Sequence, residues 1–247
     1  MKQFRNARHH ALPGFGPEGQ ARLEGATALV VGLGGLGHPV AAYLAAAGVG
    51  HLVLADFDSV DEANLHRQPL FNPTDIGRDK LAVITERLLQ QNPAVQVDGL
   101  RERIGESALT RHLASVDVVV DGSDNFATRF AVNAACVAQQ VPLVSGAAVR
   151  WSGQLAVFRP DRRGSPCYRC LFPETATSEM EDCAGNGVFS PLVAVIGGAQ
   201  AVEATKLLSG CGEPLHNRLM RYDAWTGQWR SAKIPRDPAC PCCGERS

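Results

Sequence analysis

Neither sign of charge dominates this chain: 24 Lys and Arg stand against 25 Asp and Glu, a formal net charge of -1 over 247 residues. That balance argues against a polyanion as the main partner, so nucleic acid is not expected and any basic site must be local. Long apolar runs are also scarce. None nears the ~18 residues that span a bilayer. The first ten residues carry Lys2, Arg5 and Arg8 and no apolar core, so neither a membrane span nor a signal peptide is expected. The expected compartment is the cytoplasm. Eight cysteines there point to metal ligation or thiol chemistry rather than disulfides. With 45% hydrophobic and 20% charged residues, the chain can bury a substantial core as one large α/β domain, with or without a small appendage.

What is present is organised around Val30-Val31-Gly32-Leu33-Gly34-Gly35-Leu36-Gly37. Ala28 to Val31 is an apolar, β-rich run. Gly32, Gly34 and Gly37 have G-x-G-x-x-G spacing, and a helix is expected over Leu36 to Ala47. Strand, glycine turn and helix make a phosphate-binding unit, because glycines let the backbone approach a phosphate and the helix N-terminus favours negative charge. By itself this says nucleotide, with NAD or FAD the usual first reading. A strand at His51 to Ala55 completes a βαβ unit. Asp56 ends that strand 19 residues after Gly37, where a carboxylate can bond a ribose hydroxyl.

Residues 56–68 are too polar for a regular element. Arg67 in this run is either a surface ion-pair partner, which residue types favour, or a cation turned into the pocket. A helix over Lys80 to Gln91 places Leu81, Ile84 and Leu88 on one face. Lys80 in its first turn is ordinarily a solvated lysine, or at a nucleotide site a neutraliser of polyphosphate. Val95 to Leu100 and Val116 to Val120 read as strands, the second leading into Asp121-Gly122-Ser123-Asp124-Asn125. Asp124 therefore lies past a strand's carboxyl end, where open α/β sheets bind ligands. It is a candidate cap for a helix over Phe126 to Gln140, or a Mg²⁺-linked carboxylate. Strands at Pro142 to Ala148, Gln154 to Phe158, Arg218 to Asp223 and Gln228 to Ile234 extend the sheet, and Pro191 to Leu208 reads as an apolar helix. The first 25 residues read as an arm with at most a short helix at Glu18 to Leu23, or as a solvated tail.

Cysteine spacing is the second strong signal. Cys167 and Cys170 form one C-x-x-C, and Cys240 and Cys243 another, 70 residues after Cys170. Two such pairs make a tetrahedral Cys₄ zinc site tying the C-terminal tail to the body. A redox C-x-x-C is the alternative, but it needs only one pair. Cys242 reads as a bystander, Cys136 as a buried helix residue and Cys211 as a loop thiol. Leu171 to Ser190 has no periodicity and carries Cys183 among acidic and small residues, which suggests a mobile functional loop with an accessible thiol, or a chance cysteine.

With these residues placed, the chain resembles the ThiF/MoeB/HesA family, bacterial relatives of ubiquitin-activating enzymes. The resemblance rests on the glycine loop, Asp56-Phe57-Asp58, Asn64-Leu65-His66-Arg67-Gln68, Lys80, Ser123-Asp124-Asn125, Cys167-Tyr168-Arg169-Cys170 and the closing Cys-Pro-Cys-Cys-Gly. It implies one adenylation domain over residues 1–247, with a Rossmann-like nucleotide-binding α/β fold, a mixed and mostly parallel sheet and a Cys₄ zinc site. Within it lie an arm (1–25), a crossover-type loop (171–190), and C-terminal strands with the second zinc half-site (217–247).

The activity it implies is adenylation, with MgATP, of the C-terminal Gly-Gly carboxylate of a ubiquitin-fold sulfur carrier. The carrier would be of ThiS or MoaD type, serving thiazole or molybdopterin synthesis. Residue by residue, Gly32, Gly34, Gly35 and Gly37 border the nucleotide, Asp56 takes the ribose, and Asp58, Asn64 and Asn125 complete the binding set. Arg67 and Lys80 hold the triphosphate and Asp124 serves Mg²⁺. Cys183 matches the loop cysteine, implicated in sulfur transfer in the ThiF branch. A homodimer is implied, with Arg8 lent to the neighbour's ATP. The arm here reads Arg5-Asn6-Ala7-Arg8-His9 where the family has Arg-Tyr-x-Arg-Gln, and Asn186 stands where alanine is commoner. No rhodanese-like domain follows Ser247, so sulfur is expected from a separate donor such as a cysteine desulfurase. The competing readings are an NAD-dependent oxidoreductase, which leaves Arg67, Lys80 and the cysteine pairs without a use, adenylation of a different carrier or a peptide, and a non-catalytic scaffold.

Overall fold

A computed structural model of the protein describes residues 5–102, 105–173 and 187–244. Cys183 and Asn186 fall outside these residues, as does most of the loop expected at 171–190. Two helices, α1 (Ala7–His10) and α2 (Gly16–Glu24), precede the first strand. They are followed by β1 (Thr27–Val31), α3 (Gly37–Ala47), β2 (His51–Ala55), α4 (Lys80–Gln91), β3 (Gln96–Leu100), α5 (Glu106–Leu113), β4 (Val118–Asp121) and α6 (Phe126–Gln139). The chain continues through β5 (Leu143–Val149), β6 (Ser152–Phe158), α7 (Tyr168–Leu171), α8 (Ser190–Ser209), β7 (Arg218–Asp223) and β8 (Gln228–Lys233).

All eight strands join one sheet in the order β3-β2-β1-β4-β5-β6-β7-β8. The ladders from β3 to β5 are parallel, and those from β5 to β8 antiparallel. β1, β2 and β4 are buried nearly throughout, which is why they read as continuous apolar runs. Two cores cover the two faces. One gathers Val30, Val40, Leu44, Leu54, Ile84, Val144 and Ala204, and the other Leu29, Val119, Leu113, Val132, Leu143 and Phe158. Removing one of these fully buried leucines, such as Leu44, costs ~2–5 kcal/mol through lost transfer energy and the cavity left behind.

Three departures from the sequence reading have physical causes. The arm is no tail from Arg5 onward: Arg5 donates to the carbonyl of Gln91, and Gln20, 1% exposed, donates to that of Ala47. Helix α5 was unforeseen, because the charged residues of its sequence mask the buried Leu109 and Leu113. One helix does reach membrane-spanning length and apolarity, since α8 has 20 residues of mean hydropathy 1.2. It is a core helix instead, packed on β4, β5 and β6 and crossing α3, with 56% of the apolar window buried.

Candidate functional site

The glycine loop sits between the carboxyl ends of β1 and β4, where the strand order reverses, the place at which open α/β sheets bind ligands. Its fold requires two glycines outright. Gly32 has φ +83°, a left-handed value costly for other residues, and a Cβ on Gly37 would lie 1.9 Å from the Gly32 carbonyl oxygen. From the far side α8 presses on the same loop. A Cβ on Gly35 would meet Val193 at 3.0 Å, and one on Gly197 would meet the Leu36 carbonyl at 2.6 Å.

Asp56 closes the loop from β2. One carboxylate oxygen accepts the Leu33 amide at 2.7 Å and the other the Asp58 amide at 2.8 Å. Burial raises the Asp56 carboxyl above its ordinary value, opposed by those two amides and by the charge of Lys80. Both oxygens keep lone pairs in a half-buried position, so a further hydroxyl can be accepted there.

Lys80 is not the solvated lysine that its place on a helix suggests. It opens α4, is 5% exposed, and its Nζ lies 3.0 Å from an oxygen of Asp58. Arg67 is not the ion-pair partner expected either. Its guanidinium donates to the carbonyl of Ala63 at 2.7 Å, one turn back, and no carboxylate among the described residues pairs with it. Asn64 ends the 3₁₀ turn that precedes it. The hydroxyl of Ser190, at the start of α8, donates to the His66 carbonyl and pins this segment beside the loop.

On the β4 side, Asn125 rather than Asp124 caps α6, accepting the Thr128 amide at 2.9 Å. Asp124 is thereby free of a capping duty and stands exposed at the rim, with the Asn125 side-chain amide 3.3 Å away. Asp121 is buried beneath it. One of its oxygens accepts both the amide and the hydroxyl of Ser123, at 2.9 and 2.7 Å. Burial raises the Asp121 carboxyl, while the charge of Arg129 and the Ser123 bonds oppose the rise.

Arg8, on α1, is exposed, and the described single chain does not bring it to the site. Two buried polar residues beside the loop are absent from the sequence reading. His38, 1% exposed, directs Nδ1 at the carbonyls of Leu33 and Gly34, 2.9 and 3.1 Å away, so that nitrogen carries the proton. Burial lowers the His38 pKa to about 4, the two carbonyls resisting and Lys80 adding to the fall. Gln200 of α8, fully buried, donates to the Asp121 carbonyl at 2.8 Å. A charged or amide side chain inside an apolar helix face was the available signal for these.

Away from the loop, the sulfurs of Cys167, Cys170, Cys240 and Cys243 all lie within 4.8 Å of one another. Cys167 and Cys240 are 3.7 Å apart, and Cys170 and Cys243 3.4 Å. A tetrahedral metal with bonds of ~2.3 Å requires sulfur separations of ~3.8 Å, so the four thiols could hold a metal ion. Cys242 is outside the set and instead accepts from Asn133 at 3.2 Å. Cys136 is buried in α6 with its thiol pushed up by desolvation. The Cys211 thiol donates to the Ser209 carbonyl at 3.5 Å. A separate open groove of about 590 Å³, lined by Gly164, Asn217, Lys233 and Arg236, holds none of the loop residues.

A model of the ThiF family matches residues 6–242. The sulfur carrier protein ThiS adenylyltransferase of Escherichia coli is 46% identical over 241 residues, covering 98% of this chain and 95% of that protein. The molybdopterin-synthase adenylyltransferase of the same organism is 42% identical over 248 residues, covering 99% and 98%. Among solved structures, E. coli MccB with ATP superposes with a TM-score of 0.80 at 27% identity, over 92% of this chain and 68% of that one.

Proposed function

The chain belongs to the ThiF family, and from that premise we infer that it is an adenylyltransferase acting on a sulfur-carrier protein. The observation that carries the reading to the site is the clustering of the glycine loop, Asp56, the buried Lys80 and Asp124 around one crevice between β1 and β4. The reaction takes ATP and the carrier's C-terminal carboxylate. A carboxylate oxygen bonds to the α-phosphorus, the bond to the bridging oxygen breaks, and pyrophosphate leaves with its electron pair.

Two anions must meet, so the chain's task is positioning and charge compensation. Asp56 accepts a ribose hydroxyl while its amide bonds hold Leu33 and the loop. Lys80 and Arg67 are the cations for the triphosphate, with Asp58, Asn64 and Asn125 around them. Triphosphate oxygens compete with Asp58 for Lys80 and with the Ala63 carbonyl for Arg67, so each cation has a resting partner that it can exchange. Gly32, Gly34, Gly35 and Gly37 shape the loop whose backbone amides are offered to phosphate. Asp124, exposed and not engaged in capping, would help hold a magnesium ion, which when bound would supply positive charge against the repulsion between the reactants.

The four thiols suit zinc in a structural role, since all four positions of a tetrahedron are taken by protein. The same proposal includes one adenylation domain, supported by the single eight-stranded sheet, a cytoplasmic setting, and a homodimer in which Arg8 reaches the neighbour's nucleotide. Sulfur comes from a separate donor, and Cys183 is assigned to the later sulfur transfer. ATP–pyrophosphate exchange with a ThiS-type and a MoaD-type carrier, each with or without its Gly-Gly end, tests the reading. Exchange that requires one intact tail is expected. Exchange with neither carrier overturns the assignment to these carriers and points to another carrier or a peptide.

A further inference from the structure

Arg129 and Asn133 stand one turn apart on α6 and both reach Tyr168, the residue between the first cysteine pair. Asn133, 1% exposed, accepts the Tyr168 amide at 2.8 Å and donates to the Cys242 sulfur at 3.2 Å. Arg129 donates to the Tyr168 hydroxyl at 3.5 Å through one guanidinium nitrogen and to the Ser123 carbonyl at 2.6 Å through another. Behind them the Arg169 guanidinium lies 5.0 Å from the Phe130 ring centroid. The short helix bearing Cys167 and Cys170 is therefore strapped to the first two turns of α6.

One residue, the cap Asn125, separates those turns from Asp124. The Ser123 residue ahead of it is held on both sides: its amide and hydroxyl by Asp121, and its carbonyl by Arg129. Asp121 is fixed in turn by Gln200, which donates to its backbone carbonyl, and Arg129 also places its charge toward the Asp121 carboxyl. Thus the exposed Asp124 carboxylate directly follows a buried and multiply bonded residue, Ser123. One end of that bonding leads into the thiol cluster.

We propose that Arg129 is a positioning residue that couples the four-cysteine cluster, through Tyr168, to the Ser123–Asp124 turn, so that a metal on the thiols and a magnesium nucleotide at Asp124 each stabilise the other's site. The planar guanidinium suits this, since it presents several donors in a fixed fork and satisfies two acceptors from different elements at once. A lysine there would have one flexible ammonium in place of the fork. The inference rests on the nucleotide site proposed above.

Coupling between binding sites is reciprocal, so it can be read from the metal side without any turnover. Zinc-loaded full-length protein is equilibrated with a series of chromogenic chelator concentrations in the presence and absence of MgATP, and its zinc affinity is read from the competition. A calorimetric titration of ATP is run on the same samples. For the wild type, saturating MgATP is expected to tighten zinc binding about fivefold, the low end of ordinary coupling between sites. Tyr168→Phe keeps the ring against Phe130, Phe158 and Phe172 and loses only the hydroxyl. Both Y168F and R129Q are expected to load zinc to the same stoichiometry and to bring the ratio of zinc affinities with and without MgATP to about one.

Wild-type protein that binds ATP yet holds zinc with the same affinity with and without it overturns the coupling and leaves the adenylation reading standing. So does a full wild-type ratio retained in both variants. Wild-type protein that takes up no ATP in the calorimeter overturns the nucleotide site and the coupling together.

Discussion

Lys80 and Asp58 form an ion pair of 3.0 Å that is lopsided toward water: the lysine side chain is 6% exposed and the aspartate's 52%. The lysine's methylenes and ammonium are held in the fold while its partner remains hydrated. An incoming phosphate therefore displaces a partner that loses little on being released. Removing the lysine would leave behind a carboxylate that water already reaches.

Lys80→Met is accordingly expected to separate stability from function. Carrier-dependent pyrophosphate exchange should fall by ~10²–10³-fold, the usual worth of one preorganised charge-stabilising group. The melting temperature should drop only a few degrees, because the carboxylate left behind at Asp58 is solvated. A loss of exchange below tenfold would remove Lys80 from the triphosphate site.

Two glycines of the loop and one of α8 differ in how much room a methyl group would find. Gly37→Ala drives a Cβ into backbone and is expected to prevent soluble folding or to cost more than ~4 kcal/mol. Gly35→Ala meets only the side chain of Val193 and is expected to fold with weakened ATP binding. Gly198→Ala, in mid-helix with nothing within 4 Å, is expected to stabilise by ~0.5–1 kcal/mol. Urea denaturation of the three variants checks the order.

His38 makes the loop acid-sensitive. Its pKa is lowered from 6.5 to about 4, so the stability tied to its neutral form is complete above pH 6.5 and is lost as pH falls toward 4. That amounts to ~3 kcal/mol over the interval. A His38→Asn variant should start less stable at pH 7, and its stability should decline less steeply between pH 6.5 and 4 than the wild type's. Equal slopes in denaturant titrations across that range would contradict the assigned burial.

The parts of the site legible in sequence were those written in local spacing. The glycine loop, Asp56 at the end of β2, and the two cysteine pairs each fall within a few residues, and the geometry between them follows from strand order. The illegible parts depend on partners supplied by distant elements. Lys80 reads as solvated until the polar segment before it folds back and offers Asp58. Arg67 reads as paired because acidic residues precede it, yet a 3₁₀ turn places a carbonyl nearer than any carboxylate. Arg129, Asn133 and Gln200 look like ordinary helix polar residues. Only tertiary packing turns each inward, Arg129 and Asn133 onto the cysteine knuckle and Gln200 onto the strand end at Asp121.

The antiparallel end of the sheet has one more consequence. Every residue of β8 is exposed, and the strand pairs on one side only, with β7. Such an edge would ordinarily fray first. Residues beyond it, Cys240 and Cys243, lie against Cys167 and Cys170 from before α8. With a metal joining them, α8, β7 and β8 become a closed ring of chain whose opening is entropically penalised in the unfolded state, as in any cross-linked loop. A metal held by the four thiols would thus buckle shut the margin of the sheet that looks weakest.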